Sequence, residues 1–100
     1  MSGPANKYIS RENRATVREV LLQEWDPIGV RELGLPEDEY DAYVGKVYVM
    51  LMDEESKEAL AGYLLDIATR HMGLSDFDLS ERSKRAAEKL VSLRPSFRAN

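Results

Sequence analysis

Apolar residues recur at helical spacing along most of this chain. The first set, with members three or four residues apart, consists of Val17, Val20, Leu21 and Trp25. Such steps place side chains on one face of an α-helix. We predict a first helix over residues 10–25, with Ser10 as its N-cap because a serine hydroxyl accepts from an unpaired backbone N–H. Pro27 ends this helix, since proline disfavours helical geometry at the residue before it.

Three more helices are predicted over residues 37–52, 54–72 and 79–93. Carboxylates lie at the start of the first two of these, where the helix dipole favours negative charge, and Asp53 is the predicted cap of the second. Gly73 followed by Leu74 is a typical helix stop, because glycine adopts the left-handed conformation and the next apolar residue folds back. Pro95 is the predicted end of the last helix.

No stretch shows the strict apolar–polar alternation of a half-buried strand. The sequence therefore predicts an all-α protein, a compact four-helix domain with a long ordered loop (residues 26–37) between helices 1 and 2. Apolar residues in this loop predict that it packs against the body: Ile28, Val30, Leu33 and Leu35. We expect a flexible N-terminal segment over 1–8, one helical domain over 9–94 and a flexible tail over 95–100.

The helical stripes also predict the core. Each stripe contributes the residues that share its face, and together they make a core of one modest domain. Its predicted centre consists of Val17, Leu21, Trp25, Tyr40, Val44, Val47, Leu51, Leu60, Leu64, Ile67 and Leu90.

The composition excludes several classes of protein. Cysteine is absent, which excludes a disulfide scaffold, a thiolate metal site and a cysteine nucleophile. The longest apolar run, residues 47–52, is far too short to span a bilayer, and the first residues contain no secretory apolar run. We expect a soluble cytoplasmic protein with no membrane partner.

The net charge of −4 is unevenly distributed. Residues 26–81 carry four basic and fourteen acidic groups, whereas residues 82–100 carry six basic groups and one acidic group. The acidic middle would attract a basic partner. No aromatic residues interleave with the cations of the last helix, so we expect these to be solvated or paired within the molecule, and we expect no nucleic-acid partner.

Catalytic and cofactor motifs are sparse. His71 is the one histidine, and its place near a helix C-terminus explains it without a catalytic role. No serine-hydrolase elbow, phosphate-binding glycine loop, calcium loop or di-metal Glu-x-x-His motif is present. We expect no catalytic residues, no metal and no cofactor, and a binding protein rather than an enzyme.

The segment from Trp25 to Tyr43 combines aromatic rings and carboxylates of the kinds that anchor interfaces. Residues 25–30 (W-D-P-I-G-V) followed by 38–43 (D-E-Y-D-A-Y) resemble the shared core of small uncharacterised bacterial proteins classed as a domain of unknown function. The resemblance covers about residues 17–72 and implies a compact helical domain in a bacterial cytoplasm. In size, charge and architecture the chain is also similar to small acidic immunity proteins that neutralise nuclease toxins.

Three possibilities remain open on this sequence. The first is a protein-binding module that binds a basic partner; toxin neutralisation of the immunity type is one specific version of it. Its predicted contact residues are Asp38, Glu39, Asp41 and Tyr43. The alternative is a small ligand-binding domain or enzyme with a carboxylate site near Trp25, formed with Asp26 and Tyr40. Self-association through exposed methionines of the second helix is a third possibility.

Overall fold

The protein is mainly helical in the part that the structure, a computed structural model, describes: residues 4–75 and 78–99, with side chains for 11–75 and 78–97. Its radius of gyration is 13.5 Å, close to the roughly 13 Å of a compact 100-residue domain. No strand occurs in these residues. The prediction of a compact all-α protein is therefore confirmed. The α-helices are α1 Pro4–Val20, α2 Val30–Leu33, α3 Asp41–Met52, α4 Lys57–Asp66 and α5 Leu79–Ala99.

Four of these helices are long, from 10 to 21 residues, and α2 has four. The short α2 lies inside the segment that we predicted to be a loop. Wider π-helical turns extend α1 over Leu21–Trp25 and α4 over Ile67–His71. In each, the closing bond spans five residues, as in the 2.8 Å bond from the Asp26 N–H to the Leu21 carbonyl.

Both outer ends of the helical region differ from the prediction. Helix α1 begins at Pro4, so Ser10 lies within the helix and is not its N-cap. Proline suits such a position because the first helical N–H groups need no partner within the helix. Helix α5 continues past Pro95 to Ala99, since burial of Phe97 against the core offsets the lost proline N–H bond.

The internal helices start later than predicted. Helix α3 begins at Asp41 because residues 36–40 form turns, in which the Glu39 N–H donates to the Pro36 carbonyl. Helix α4 begins at Lys57, and its N-cap is Ser56, whose hydroxyl accepts from the Ala59 N–H at 3.0 Å. The prediction of Asp53 as this cap is wrong, because a serine placed directly before the helix has the extended backbone that a cap requires.

Gly73 ends the π-helical turn as predicted. Its φ of 70° lies in the left-handed region, and the Leu74 N–H donates to the Ala68 carbonyl at 2.9 Å. Leu74 packs against the core. The prediction of a glycine stop with an apolar fold-back is confirmed.

All eleven residues predicted for the centre of the core are buried. Burial of this apolar surface is the main force that holds the helices together. The prediction omitted several residues that are also buried, among them Leu22, Val30, Leu79 and Phe97. Phe97 was missed because the sequence placed it beyond the last helix.

Helix α5 also joins the other helices through arginines. The Arg94 guanidinium donates to the Leu51 carbonyl at 2.7 Å and to the Glu55 carbonyl at 2.5 Å, and so caps the end of α3. The last carbonyls of a helix have no partner within it, which makes such a cap stabilising. Part of the basic charge of α5 is therefore used inside the molecule, as the sequence predicted.

Candidate functional site

Asp26 organises the connection between α1 and α3. One of its carboxylate oxygens, Oδ1, accepts from the Val30 N–H at 2.7 Å and from the Tyr40 hydroxyl at 2.7 Å. The Tyr40 hydroxyl in turn accepts from the Ile28 N–H at 3.0 Å. We call Asp26, Tyr40 and these two backbone groups the Asp26–Tyr40 clasp. It fastens residues 26–40 at both ends.

The backbone at Asp26 is unusual. Its φ is 29° and its ψ is 61°, in the left-handed region that side chains other than those of glycine, asparagine and aspartate avoid. Arg82 stabilises this geometry from α5, because its guanidinium donates to the Trp25 carbonyl at 3.1 Å and to the Asp26 carbonyl at 3.0 Å. The clasp is thus held to two helices.

Trp25 and Tyr40 lie in the core beneath the clasp. Both side chains are fully buried, and their ring centroids are 5.1 Å apart with the planes tilted by 54°. Such tilted aromatic pairs contribute about 0.5–1.5 kcal/mol beyond the burial of their area. Of the three residues in the alternative ligand site, two are therefore closed to solvent, and Asp26 is engaged by the protein itself.

The clasp changes the acidity of Tyr40. Burial of the phenol raises its pKa well above the usual value, and the hydrogen bond to Asp26 raises the pKa further. The neutral phenol is therefore the form that the folded protein stabilises.

This pKa predicts loss of stability in alkali. Above about pH 10 the unfolded chain releases the tyrosine proton, whereas folded Tyr40 still holds it. Rising pH then favours the unfolded state. The contribution of Tyr40 to the free energy of unfolding should be fully present below about pH 10 and should decrease above it. Urea unfolding across this range should show a steeper loss in the wild type than in Tyr40→Phe. Parallel loss in the two proteins would contradict a protonated Tyr40.

Outside the clasp, residues 31–39 form a continuous exposed stretch. Leu33 is 65% exposed and Leu35 is 37% exposed. Our prediction that these two leucines pack against the body is wrong, because α2 is only one turn long and buries Val30 alone. Acidic residues follow directly, and we call the combined set the leucine–acidic surface: Leu33, Leu35, Glu37, Asp38 and Glu39.

The predicted contact residues divide between two environments. Asp38 and Glu39 are exposed on the turn before α3. Asp41 instead binds Arg18 through two hydrogen bonds, of 2.8 Å and 2.6 Å, with each side chain 40% exposed. Tyr43 is half-buried and packs against the core. The structure therefore places Asp38 and Glu39 on the leucine–acidic surface and places Asp41 and Tyr43 beside α1 and the core.

The pair of Arg18 and Asp41 is a local link between α1 and α3. The hydrogen bond to Asp41 raises the pKa of Arg18, and burial of the guanidinium acts in the opposite direction. Exposed pairs of this kind contribute about 0.2–1 kcal/mol. Sequence reasoning missed the pairing because the two residues are 23 positions apart and lie on different helices.

Other candidate sites have less support. Met50 is buried and Met52 is half-buried, so they do not form the exposed methionine surface that the self-association hypothesis required. Within residues 11–75 and 78–97, no group of three or more His, Cys, Asp or Glu side chains is placed to hold a metal ion. No helix in residues 4–75 and 78–99 is both long and apolar enough to cross a membrane.

Comparison with known proteins gives no relative to guide the assignment. No protein-family model, curated protein or solved structure matches the chain. The resemblance to a bacterial domain of unknown function stays a prediction.

Proposed function

We propose that this chain is a non-enzymatic protein-binding module that docks a basic protein on the leucine–acidic surface. The observation that carries the proposal is the exposure of Leu33 and Leu35 directly beside three consecutive carboxylates. Burying such a leucine at an interface contributes up to about 1.5–3 kcal/mol. An acidic border adds attraction over a longer range and accelerates encounter with a basic partner.

The charges of this surface are open to a partner. Glu37, Asp38 and Glu39 are exposed, and none forms a salt bridge among the described residues. Neighbouring carboxylates repel one another, and a cationic partner relieves that repulsion. Asp41 differs, because Arg18 already neutralises it.

The frame of the surface favours tight binding. The Asp26–Tyr40 clasp restrains both ends of the segment that carries the leucines. A segment restrained at both ends loses less entropy on binding than an unrestrained loop does. Neutralisation of a basic toxin, in the manner of an immunity protein, is the specific version of this function that the size and acidity of the chain suggest.

Affinity capture from extracts of the source cell tests the proposal. The variant is Glu37→Gln, Asp38→Asn and Glu39→Gln combined, and we expect it to fold normally and to lose capture of a basic protein. The loss should be largest at low salt, where charge accelerates association most. The matched control removes three exposed carboxylates elsewhere: Glu58→Gln, Glu81→Gln and Glu88→Gln.

The control separates a specific surface from overall charge. Equal loss of capture in the two triple variants would show that net charge alone retains the partner, and unchanged capture in both would place the interface elsewhere. Recovery of the chain itself as the captured protein would point to self-association.

A further inference from the structure

A groove between α4 and α5 lies outside the leucine–acidic surface and shares no residue with it. Its volume is about 380 Å³, within the roughly 300–1,000 Å³ typical of small-molecule sites. The residues that line it lie between Lys57 and Leu65 on α4 and between Ser80 and Glu88 on α5. We call this feature the α4–α5 groove.

The two helices run in opposite directions along the groove. Lys57, at the start of α4, forms an ion pair with Glu88 on α5, with the charged atoms 3.9 Å apart. Leu65 and Ser80 line the groove where α4 ends and α5 begins. Each wall extends over residues 57–65 or 80–88, which at the helical rise makes it about 12 Å long. The groove can therefore accommodate an elongated molecule.

The middle of the groove is apolar and shallowly filled, because α4 carries small residues there. Ala61 is half-buried, and a Cβ added at Gly62 would meet no atom of the described residues within 4 Å beyond the local helix backbone. Leu65 is half-buried and adds an apolar side chain towards one end. Glycine inside a helix lowers helix propensity, and here it leaves space that any larger residue would occupy.

Charged groups give the groove a polarity along its length. At the Lys57 end, two carboxylates, Glu58 and Glu88, accompany one cation, so the charge there is negative in sum. Towards the other end, Lys84 is the one charged residue among the described lining residues, and Ser80 lies one turn before it on the same face of α5. An anionic group is therefore favoured beside Lys84 and Ser80 and disfavoured at the Lys57 end.

Lys84 keeps hydrogen-bond donors for a ligand. Glu81 forms an ion pair with it, but the charged atoms are 3.9 Å apart, which is too long for a hydrogen bond. The two side chains are 63% and 69% exposed, and exposed pairs of this kind are weak. Glu81 does not line the groove, so a carboxylate inside it can bind Lys84 without displacing Glu81.

We propose that the α4–α5 groove binds a small monocarboxylic acid with an elongated apolar body. Its carboxylate accepts from the Lys84 ammonium and from the Ser80 hydroxyl, since a charge-assisted hydrogen bond is the stronger kind and a serine hydroxyl can donate. Its apolar body covers Ala61, Gly62 and Leu65, where burial removes apolar surface from water. A second carboxylate at the far end would be repelled by Glu58, so dicarboxylic acids are disfavoured.

Titration with octanoate below its micellar concentration, followed by NMR of the backbone amides, tests this site. Octanol and octylammonium have the same chain with a neutral and a cationic head group, and acetate has the head group alone. We expect saturable shifts centred on Gly62 and Ser80, with octanol about tenfold weaker than octanoate, octylammonium weaker still, and acetate without saturation. Octanol or octylammonium equal to octanoate, or no saturable shift at Gly62, would overturn the proposal.

Two lysine variants test the contact with the carboxylate. Lys84→Gln should weaken octanoate about tenfold, the effect expected from one charge-assisted hydrogen bond, and should leave octanol unchanged. The matched control is Lys89→Gln, which removes an exposed cation of α5 that does not line the groove, and it should leave both ligands unchanged. Unchanged octanoate affinity in Lys84→Gln, or equal weakening in Lys89→Gln, would exclude this contact.

Two further variants test the place of the apolar body and the competition for Lys84. Gly62→Leu should fold, because its Cβ enters open space and leucine favours a helix, and it should weaken octanoate and octanol alike. Glu81→Gln should strengthen octanoate, since it removes a carboxylate that competes for Lys84. A folded Gly62→Leu protein with the octanoate affinity of the wild type would contradict the proposal, as would weaker octanoate binding in Glu81→Gln.

Discussion

Replacing Trp25 with alanine should lower the free energy of unfolding by about 3–5 kcal/mol, the usual cost of removing a fully buried large aromatic. Trp25 has no exposed surface, and its ring packs against Tyr40 beneath the clasp. A domain of this size has a total stability of about 5–15 kcal/mol. The variant should therefore be only marginally folded at room temperature.

Urea unfolding followed by circular dichroism measures this change. The indole N–H of Trp25 has no hydrogen-bond partner in the described residues. Trp25→Phe therefore removes packing contacts but no hydrogen bond, and it should lose less stability than Trp25→Ala. Leu33→Ala is the control for an exposed apolar residue and should change stability little. A Trp25→Ala midpoint equal to that of the wild type would show that the tryptophan is not a core residue.

Asp26→Ala should have the second largest effect, a loss of about 3 kcal/mol. The carboxylate accepts two hydrogen bonds, each worth about 1.5–3 kcal/mol when the acceptor is charged, and its partial exposure reduces that sum. Alanine also disfavours the positive φ at this residue by about 1–2 kcal/mol.

The matched variant is Asp26→Asn. Asparagine tolerates the left-handed conformation, and its amide oxygen can accept from both Val30 and Tyr40, so most of the stability should remain. Thermal unfolding of the two variants distinguishes a contribution from the geometry of the clasp from a contribution from the negative charge of Asp26. If Asp26→Asn lost as much stability as Asp26→Ala, negative charge and not the clasp geometry would be what Asp26 contributes.

Periodicity was enough to predict the helical class and the centre of the core. Leu60, Leu64 and Ile67 repeat at steps of four and three residues, and burial of that face follows from the spacing alone. Helix ends were harder, because local signals compete. Pro95 has the pattern of a stop, yet the chain continues as a helix that buries Phe97. The benefit of burying Phe97 depends on packing partners distant in the sequence.

The candidate site was predicted only in part. The sequence indicated that residues 25–43 were important, and Asp38 and Glu39 are exposed as a contact surface requires. It could not indicate that Asp41 is bound by Arg18, since that pairing depends on how α1 and α3 cross. The sequence also misplaced Leu33 and Leu35, because the apolar character of a leucine predicts that it is buried. A single sequence carries no signal that a leucine is exposed.

Site-specific photo-crosslinking in the source cell most directly tests whether the leucine–acidic surface is the interface. A photoreactive phenylalanine analogue replaces Leu35 in one variant and Ser92, exposed on α5, in the other. We predict that position 35 forms a crosslink to a basic protein and that position 92 does not. The absence of any crosslink from position 35, or the same products from both positions, would contradict it.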